Sequence, residues 1–484
     1  MCTIGRAAPA LCSFALAVAG CMTVGPDYKP PATPVPPAWN SGAYAGVTHA
    51  VADDSAQQSR WWTAFNDPVL SLLVEQARTN NVDVKQAEAR LRKARAQRNL
   101  AKAERLPTIG ANGSASRSRG SEKAGGGGTS TMYANGFDAS WEADLFGAKR
   151  RTIESAQATL EASQEALRDV MVSLFSEVAL NYVEYRSYGA RLEITETNLA
   201  AQTETYDITR WRQQANLVTQ LDVDQARLSL EQTRAGLPAL RTGRDQAEHQ
   251  LAALFGQAPG SLKALLDSRR LGVPVAASEL AVGVPADVLR RRPDVRSAER
   301  KLAAQTAEIG VAEAARYPDL TLSGSIGLEA LKAGDLYTLG ARTAAGAVKA
   351  GWTLFDGGQI RQKVAVQTAL QEEALGAYEA AVLTALREVE DALTAYANEQ
   401  NRRSSLREAV VAGRSAFGLA RDKYAAGLID FQTVLSTQQS LLTVQDSLAS
   451  SEAEVTSDLI RLYKALGGGW DPLALETKGQ WKQL

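Results

Sequence analysis

The side chains best suited by type and spacing to do chemistry lie in the stretch FDASWEADLFG, Phe137 to Gly147, where Asp138, Ser140, Glu142 and Asp144 occupy every second position. In an extended chain they share one face, and three carboxylates there would set up an acidic local field. Catalysis would need more. The chain holds two histidines, His49 and His249, one in a proline-rich region and one in a polar helical stretch, so no metal-ligand cluster can be built around them. Ser325 sits in SGSIG with a glycine adjacent to it, not two positions before it, so it is no nucleophile elbow. No catalytic residue, cofactor or metal site is expected, and the chain does not read as an enzyme.

The other face of the stretch carries Phe137, Ala139, Trp141, Ala143 and Leu145, the pattern of a strand with one apolar and one wet side. It has a mate. Comparing the chain with itself at a shift of 211 places Asp83 on Asp294, Leu91 on Leu302, Arg105 on Arg316, Pro107 on Pro318, Trp141 on Trp352, Arg150 on Arg361 and Gly256 on Gly467. One offset held over most of the length marks a duplicated unit, with a period far too long for a solenoid. Each copy reads as a helix stopped by proline (Asn81 to Leu106 in the first), then two alternating strands, then a very long helix. The strands are expected at Thr108 to Ser116 and Met132 to Leu145, and at Leu320 to Leu328 and Thr343 to Phe355. From Gly147 the helix runs to about Gln214, roughly 100 Å at 1.5 Å per residue. Asn216 and Gly427 interrupt the long helices where helical hairpins would turn, because both residues accept a left-handed backbone. Pro238 is expected to kink or break the returning helix of the first copy. The unit boundaries follow: leader 1–20, proline-rich tether 21–60, first repeat 61–256, linker 257–285, second repeat 286–467 and tail 468–484, with order beginning near Trp61.

Composition narrows the class. With 45% hydrophobic and 22% charged residues and a net charge of −1 there is no electrostatic footprint for nucleic acid, and no run of eighteen apolar residues for a spanning helix. The N-terminus offers another route to a membrane. Arg6, an apolar run from Ala7 to Ala17, and then Val18-Ala19-Gly20-Cys21 resemble a lipoprotein leader and lipobox, which would make Cys21 an acylated first residue. Such cleavage would discard Cys2 and Cys12, leaving no disulfide framework. Met22, not Asp, follows the cysteine, which favours sorting to the outer membrane. Four strands of bilayer-crossing length cannot close a barrel alone, and lipid tolerates no unpaired edge. A membrane reading therefore requires an oligomer. A surface rod or adhesin-like lipoprotein is the alternative from another class.

Three motifs carry a family resemblance: Val24-Gly25-Pro26-Asp27-Tyr28 after Cys21, the run from Val284 through Arg290-Arg291-Arg292-Pro293 to Val295, and Leu354-Phe355-Asp356-Gly357-Gly358. Together they resemble the outer-membrane factor family (TolC/OprM-like), lipoprotein branch of tripartite efflux systems driven by inner-membrane RND transporters. The resemblance implies a mainly α fold with a membrane β-barrel: four strands plus long helices per protomer, a homotrimer closing a 12-stranded outer-membrane barrel, and a periplasmic α-helical barrel continuing it. It implies a passive conduit for drugs or other small toxic compounds, partnered by a periplasmic adaptor (membrane fusion) protein, an inner-membrane RND transporter and outer-membrane lipid. Heavy-metal efflux and type I secretion are the alternative cargoes; scarce histidine and methionine speak against metal. Asp138, Glu142 and Asp144 would face the pore. Adaptor contacts would fall on the helix tips, Ala215-Asn216-Leu217 and Ala426-Gly427-Leu428, where relatives carry Val-Gly-Leu. The periplasmic gate region would fall on Asp430, Gln432, Thr433 and Ser436. The family's acidic gate ring is replaced here at Thr433 and Ser436.

Overall fold

The 211-residue offset is written into the backbone. The computed structural model describes residues 23–470 apart from 33, 41–46, 49–58, 122, 124–126, 268–271, 276–279 and 282–284; Cys21, the leader and His49 lie outside the described residues. Helices α1 (Pro68–Asn80) and α2 (Val82–Ala103) lead into strands β1 (Thr108–Arg119) and β2 (Thr129–Ala143). Helix α3 (Ala148–Gln214) and helix α4 (Gln220–Leu254) form the first long hairpin. After short helices α5 (Lys263–Asp267) and α6 (Pro285–Arg291) the plan recurs: α7 (Pro293–Ala314), β3 (Asp319–Ala330), β4 (Arg342–Gly351), α8 (Gln359–Ala425) and α9 (Phe431–Ala465). Both long helices have 67 residues and both returning helices 35.

Two compact units share these elements. The first takes the chain up to Ala32, Arg90–Gln164 and Ser297–Glu379 and contains the whole sheet; the second contains the remainder, including both hairpin tips. In the second unit, α1 begins on Asp67, whose Oδ1 accepts from the amides of Val69 and Leu70 at 2.8 and 3.0 Å. The other oxygen accepts from the Tyr182 hydroxyl at 2.8 Å, and that hydroxyl accepts from Arg186 Nε at 2.9 Å. Burial pushes the Tyr182 phenol above its ordinary value, so it serves as a neutral donor. Around this network Trp61, Trp62, Phe65, Phe175 and Tyr463 pack, with Trp61 stacked on Tyr463 at 5.4 Å.

The two copies close their second-unit ends through equivalent joints made by different chemistry. Asn81 caps α2, accepting from the amides of Asp83 and Val84, and donates from Nδ2 to the Leu254 carbonyl at 2.8 Å. At the matching position Arg292 donates to the Ala465 carbonyl at 3.0 Å and also pairs with Asp294 and Glu388. Gly256 and Gly467, which follow, both take positive φ (63° and 73°), the backbone that ends a helix.

Three expectations change. Helix α4 is not broken at Pro238: the proline and Arg234, whose carbonyl it leaves without a helical partner, are both solvent-exposed, so water can serve that carbonyl. Strands β1 and β2 extend further toward their shared loop, to Arg119 and from Thr129, because Ser118 and Ser130 and their neighbours continue the ladder. Order also begins well before Trp61, as described below.

Because Arg292 is itself buried and donates to a carbonyl and two partly exposed carboxylates, its loss should cost more than that of Asn81. Arg292→Ala is expected to lower stability by about 2–3 kcal/mol and Asn81→Ala by about 1–2 kcal/mol, read by chemical denaturation of the purified protein. Equal losses would show that charge at this joint is immaterial.

Candidate functional site

The sheet runs β1-β2-β3-β4, antiparallel throughout, and the β2–β3 contact joins the two repeats. Register decides which side chains meet. Ala111, Phe137, Ile326 and Ala344 form one row across it, and Trp141, Leu322 and Val348 another. These fall on a single face that no other part of the described chain covers: Ile109 is 74%, Ile326 63% and Val348 71% exposed. The opposite face is polar, with rows Gly110-Asp138-Ser325-Ala345 and Glu142-Thr321-Lys349. An exposed apolar face on a sheet of this length suits lipid, and the polar face suits a watery interior.

Two carboxylates in the middle of that polar face have partners. Asp138 accepts from Asn112 Nδ2 at 2.7 Å, and Glu142 pairs with Lys149 at 3.0 Å while sharing its row with Lys349. Asp144 corrects the expectation of a strand residue. Strand β2 ends at Ala143, and the Asp144 carboxylate accepts from the Lys149 and Arg150 amides at 3.1 and 3.0 Å and pairs with the Arg150 guanidinium. It caps α3, where an anion at a helix N-terminus is stabilised by free amides. Asp356 does the same at the start of α8, accepting from Gly358 and Ile360, and these backbone bonds hold its carboxyl below the ordinary range.

Two functional features were missed from sequence. Trp141 and Trp352, repeat mates, each donate the indole N–H to a main-chain carbonyl at the end of the preceding helix segment, Arg105 at 2.8 Å and Arg316 at 3.0 Å. Their recurrence at one offset was the available signal. The second is Arg151. Its buried guanidinium donates to the carbonyls of Val24 and Gly25, both at 3.0 Å, and pairs with Asp27 at 2.7 Å. Val24 also donates to the Phe146 carbonyl, and Tyr28 donates to Glu299 at 3.0 Å. Gly25 takes φ +87°, and a Cβ there would lie 2.4 Å from the Gly310 Cα. The motif after Cys21 is thus docked on the strand-to-helix junction and is not a plain tether.

At the hairpin tips both turn residues are left-handed, Asn216 at φ 57° and Gly427 at φ 72°. Leu217 donates to the Arg212 carbonyl and Leu428 to the Lys423 carbonyl, each at 2.9 Å, which closes both helices in the same way. Leu217 and Leu428 are 68% and 72% exposed, and Ala215 and Ala426 are exposed beside them. The returning helices are capped by the same two residue types in reversed order. Thr219 and Asp222 form a capping box on α4, whereas Asp430 accepts from the Thr433 amide at 2.8 Å and from its hydroxyl on α9. Of the expected gate residues, Asp430 is therefore a helix cap, Ser436 donates to the Thr433 carbonyl at 3.0 Å, and Gln432, Thr433 and Ser436 share the exposed side of the first turns of α9. His249 lies 3.8 Å from Glu248. Among the described residues no helix is long and apolar enough to cross a membrane.

A family model described as outer membrane efflux protein matches residues 73–257 and 284–468, two spans standing 211 positions apart. The chain belongs to the outer membrane efflux protein family. It is an outer-membrane channel protomer of that family, a duplicated unit of long helices and antiparallel strands. It is 33% identical over 464 residues to nodulation protein T of Rhizobium leguminosarum bv. trifolii, covering 95% of this chain and 97% of that one. It is 31% identical over 463 residues to the toluene efflux pump outer membrane protein TtgC of Pseudomonas putida, covering 94% of each. Among solved structures, the outer-membrane channel OprN matches with a TM-score of 0.87 at 35% identity, over 93% of this chain and all of that one.

Two outcomes follow for the tips. Asn216→Gly should leave the first hairpin intact, while Asn216→Val, forcing a β-branched residue to positive φ, should cost about 1–2 kcal/mol and open the tip to limited proteolysis. The Asp430 carboxyl is held below its ordinary value by the Thr433 hydroxyl and then the Thr433 amide. Its cap is therefore fully present above the ordinary aspartate range and lost as pH falls through the lowered value. Acid-induced fraying, followed by amide exchange at the start of α9, should disappear in Asp430→Asn, whose cap cannot titrate.

Proposed function

We propose that three copies of this chain close a twelve-stranded channel through the outer membrane and act as the passive exit conduit of a tripartite pump. A periplasmic adaptor grips the helix tips at Ala215-Asn216-Leu217 and Ala426-Gly427-Leu428, and an inner-membrane RND transporter supplies the energy. The cargo is drugs or other small toxic compounds, and the chain itself performs no reaction. Acyl chains on Cys21 hold the protomer in the outer-membrane lipid, and the strand loops, including 330–335, face outward. The observation that carries this reading is the four-stranded sheet, apolar and uncovered on one face and polar on the other, with β1 and β4 as outermost strands. The named relatives support it: one is an efflux pump component for toluene. Asp138 and Glu142 keep the lumen wet rather than select cargo, since Asn112 hydrogen-bonds Asp138 and Lys149 and Lys349 offset the charge of Glu142.

Reconstituted trimers should conduct, and a strain lacking the gene should retain toxic compounds that the wild type exports. Trimers that never conduct, together with a deletion that exports normally, would sink the proposal. The double variant Asp138→Asn, Glu142→Gln should keep its conductance and change the cation-to-anion permeability ratio less than about twofold.

A further inference from the structure

Charge is divided between the two faces of the sheet. Among the described strand residues the polar face carries Asp138, Glu142, Asp319 and Glu329 against a single lysine, Lys349, whereas the apolar face carries Arg117, Arg119 and Arg342 and no carboxylate. The arginines are exposed; Arg117 and Arg119 close the loop end of β1, and Arg342 opens β4. Deep in hydrocarbon such residues are costly, but at its border they cost little, because a guanidinium reaches the headgroups.

Height shows which case applies. Thr131 stands opposite Arg117. From Trp141 to Thr131 is roughly 34 Å along β2 and roughly 26 Å in height for a strand tilted by about 40°, close to the ~25 Å of an outer-membrane apolar band. At the inward end of this face the strands carry Ile109, Trp141 and Leu320 and no charge. Arg117 therefore stands at the outward border. The second repeat keeps the rung: at the offset of 211 the mates of Arg117 and Thr131 are Leu328 and Arg342, again opposite each other. Each hairpin thus carries one arginine on this rung, and in each it sits on the hairpin's outermost strand.

The border has a further donor. Asn135, Leu328 and Arg342 share one row, and Asn135 Nδ2 donates to the Tyr337 hydroxyl at 3.1 Å, so the loop between β3 and β4 folds against the apolar face. Having accepted from Asn135, the phenol still has its own proton to donate. Tyr337 and Leu339 of that loop are 77 and 76% exposed. Guanidinium and phenol donors above apolar rows match an amphiphile with phosphate above and acyl chains below.

We propose that this border binds the phosphate groups of the phosphorylated glycolipid of the outer leaflet, through Arg117 and Arg342 with the Tyr337 hydroxyl beside them. Each guanidinium offers a phosphate two parallel N–H donors. Arg119 adds charge at the next outward position of β1. An inner-leaflet phospholipid would meet no cation on these strands. The proposal rests on the trimeric reading above: β1 and β4 are the outermost strands, so closing the barrel brings the β1 arginines of one copy toward Arg342 of the partner subunit, and the lipid lies over the seam.

Trimers extracted from outer membranes in mild detergent should carry lipid A, read by mass spectrometry. Arg117→Gln with Arg342→Gln should lower the retained amount by about tenfold or more, each arginine near anionic lipid being worth roughly a factor of five. The lumen-facing Lys349→Gln should lower it less than about twofold. Arg117→Lys with Arg342→Lys keeps the charge without the paired donors and should fall between. Delipidated wild-type trimers should gain thermal stability from lipid A and not from dephosphorylated lipid A or phosphatidylglycerol. A glutamine double variant that migrates as a trimer and retains lipid A like the wild type overturns the site. Should that variant fail to assemble, the lipid comparison on the wild type decides: equal gain from dephosphorylated lipid A overturns phosphate as the recognised group, and equal gain from phosphatidylglycerol overturns the glycolipid. A purified chain that is monomeric by light scattering removes the trimeric reading itself, whereas a trimer indifferent to lipid A removes only this site.

Discussion

Inside hydrocarbon no backbone amide or carbonyl can go without a partner, and every other property of this molecule answers to that constraint. Four strands leave two outermost edges, so the single chain is an incomplete object however well its helices fold. The same constraint explains the strict alternation along the strands. A sheet that separates lipid from water must keep its large apolar residues on one side through its central rows, and the registers gather Ile109, Phe137, Trp141, Leu322, Ile326 and Val348 there. Near the middle of the polar face, Asp138 is met by Asn112.

Duplication has preserved geometry more faithfully than chemistry. The long helices are equal in length to the residue, yet the joint that closes each copy is an amide in one, Asn81, and a guanidinium flanked by carboxylates in the other, Arg292. The tips turn on Asn216 in one copy and Gly427 in the other, and the caps exchange threonine and aspartate. In each case what is retained is a backbone demand: a carbonyl to be satisfied, a left-handed residue, a free helix amide. Several side chains can meet such a demand, so only the demand persists.

That distinction also marks how far the sequence was legible. The offset of 211, the alternation and the left-handed tips were all readable, since each depends on residue type along the chain. Strand β4 was read to Phe355 and ends at Gly351, because the pattern records a strand as it stands with all its neighbours and the chain supplies only one of them. Asp144 looked like one more wet strand residue, and nothing in a period of two distinguishes the last strand position from a helix cap one residue later. The proline run after Cys21 hid a docked segment, because the partner that binds it, Arg151, lies more than a hundred residues away. At Pro238 the helix runs on unbroken: the proline's cost is local, and exposure to water relieves it.

The paired tryptophans act as clasps. Each indole fastens the carbonyl at the end of a helix segment, Trp141 of β2 to Arg105 and Trp352, one residue past β4, to Arg316. The chain that leaves a helix for a hairpin is thus stapled to the chain that comes back from it, and each repeat closes its hairpin at the base before any other contact is made.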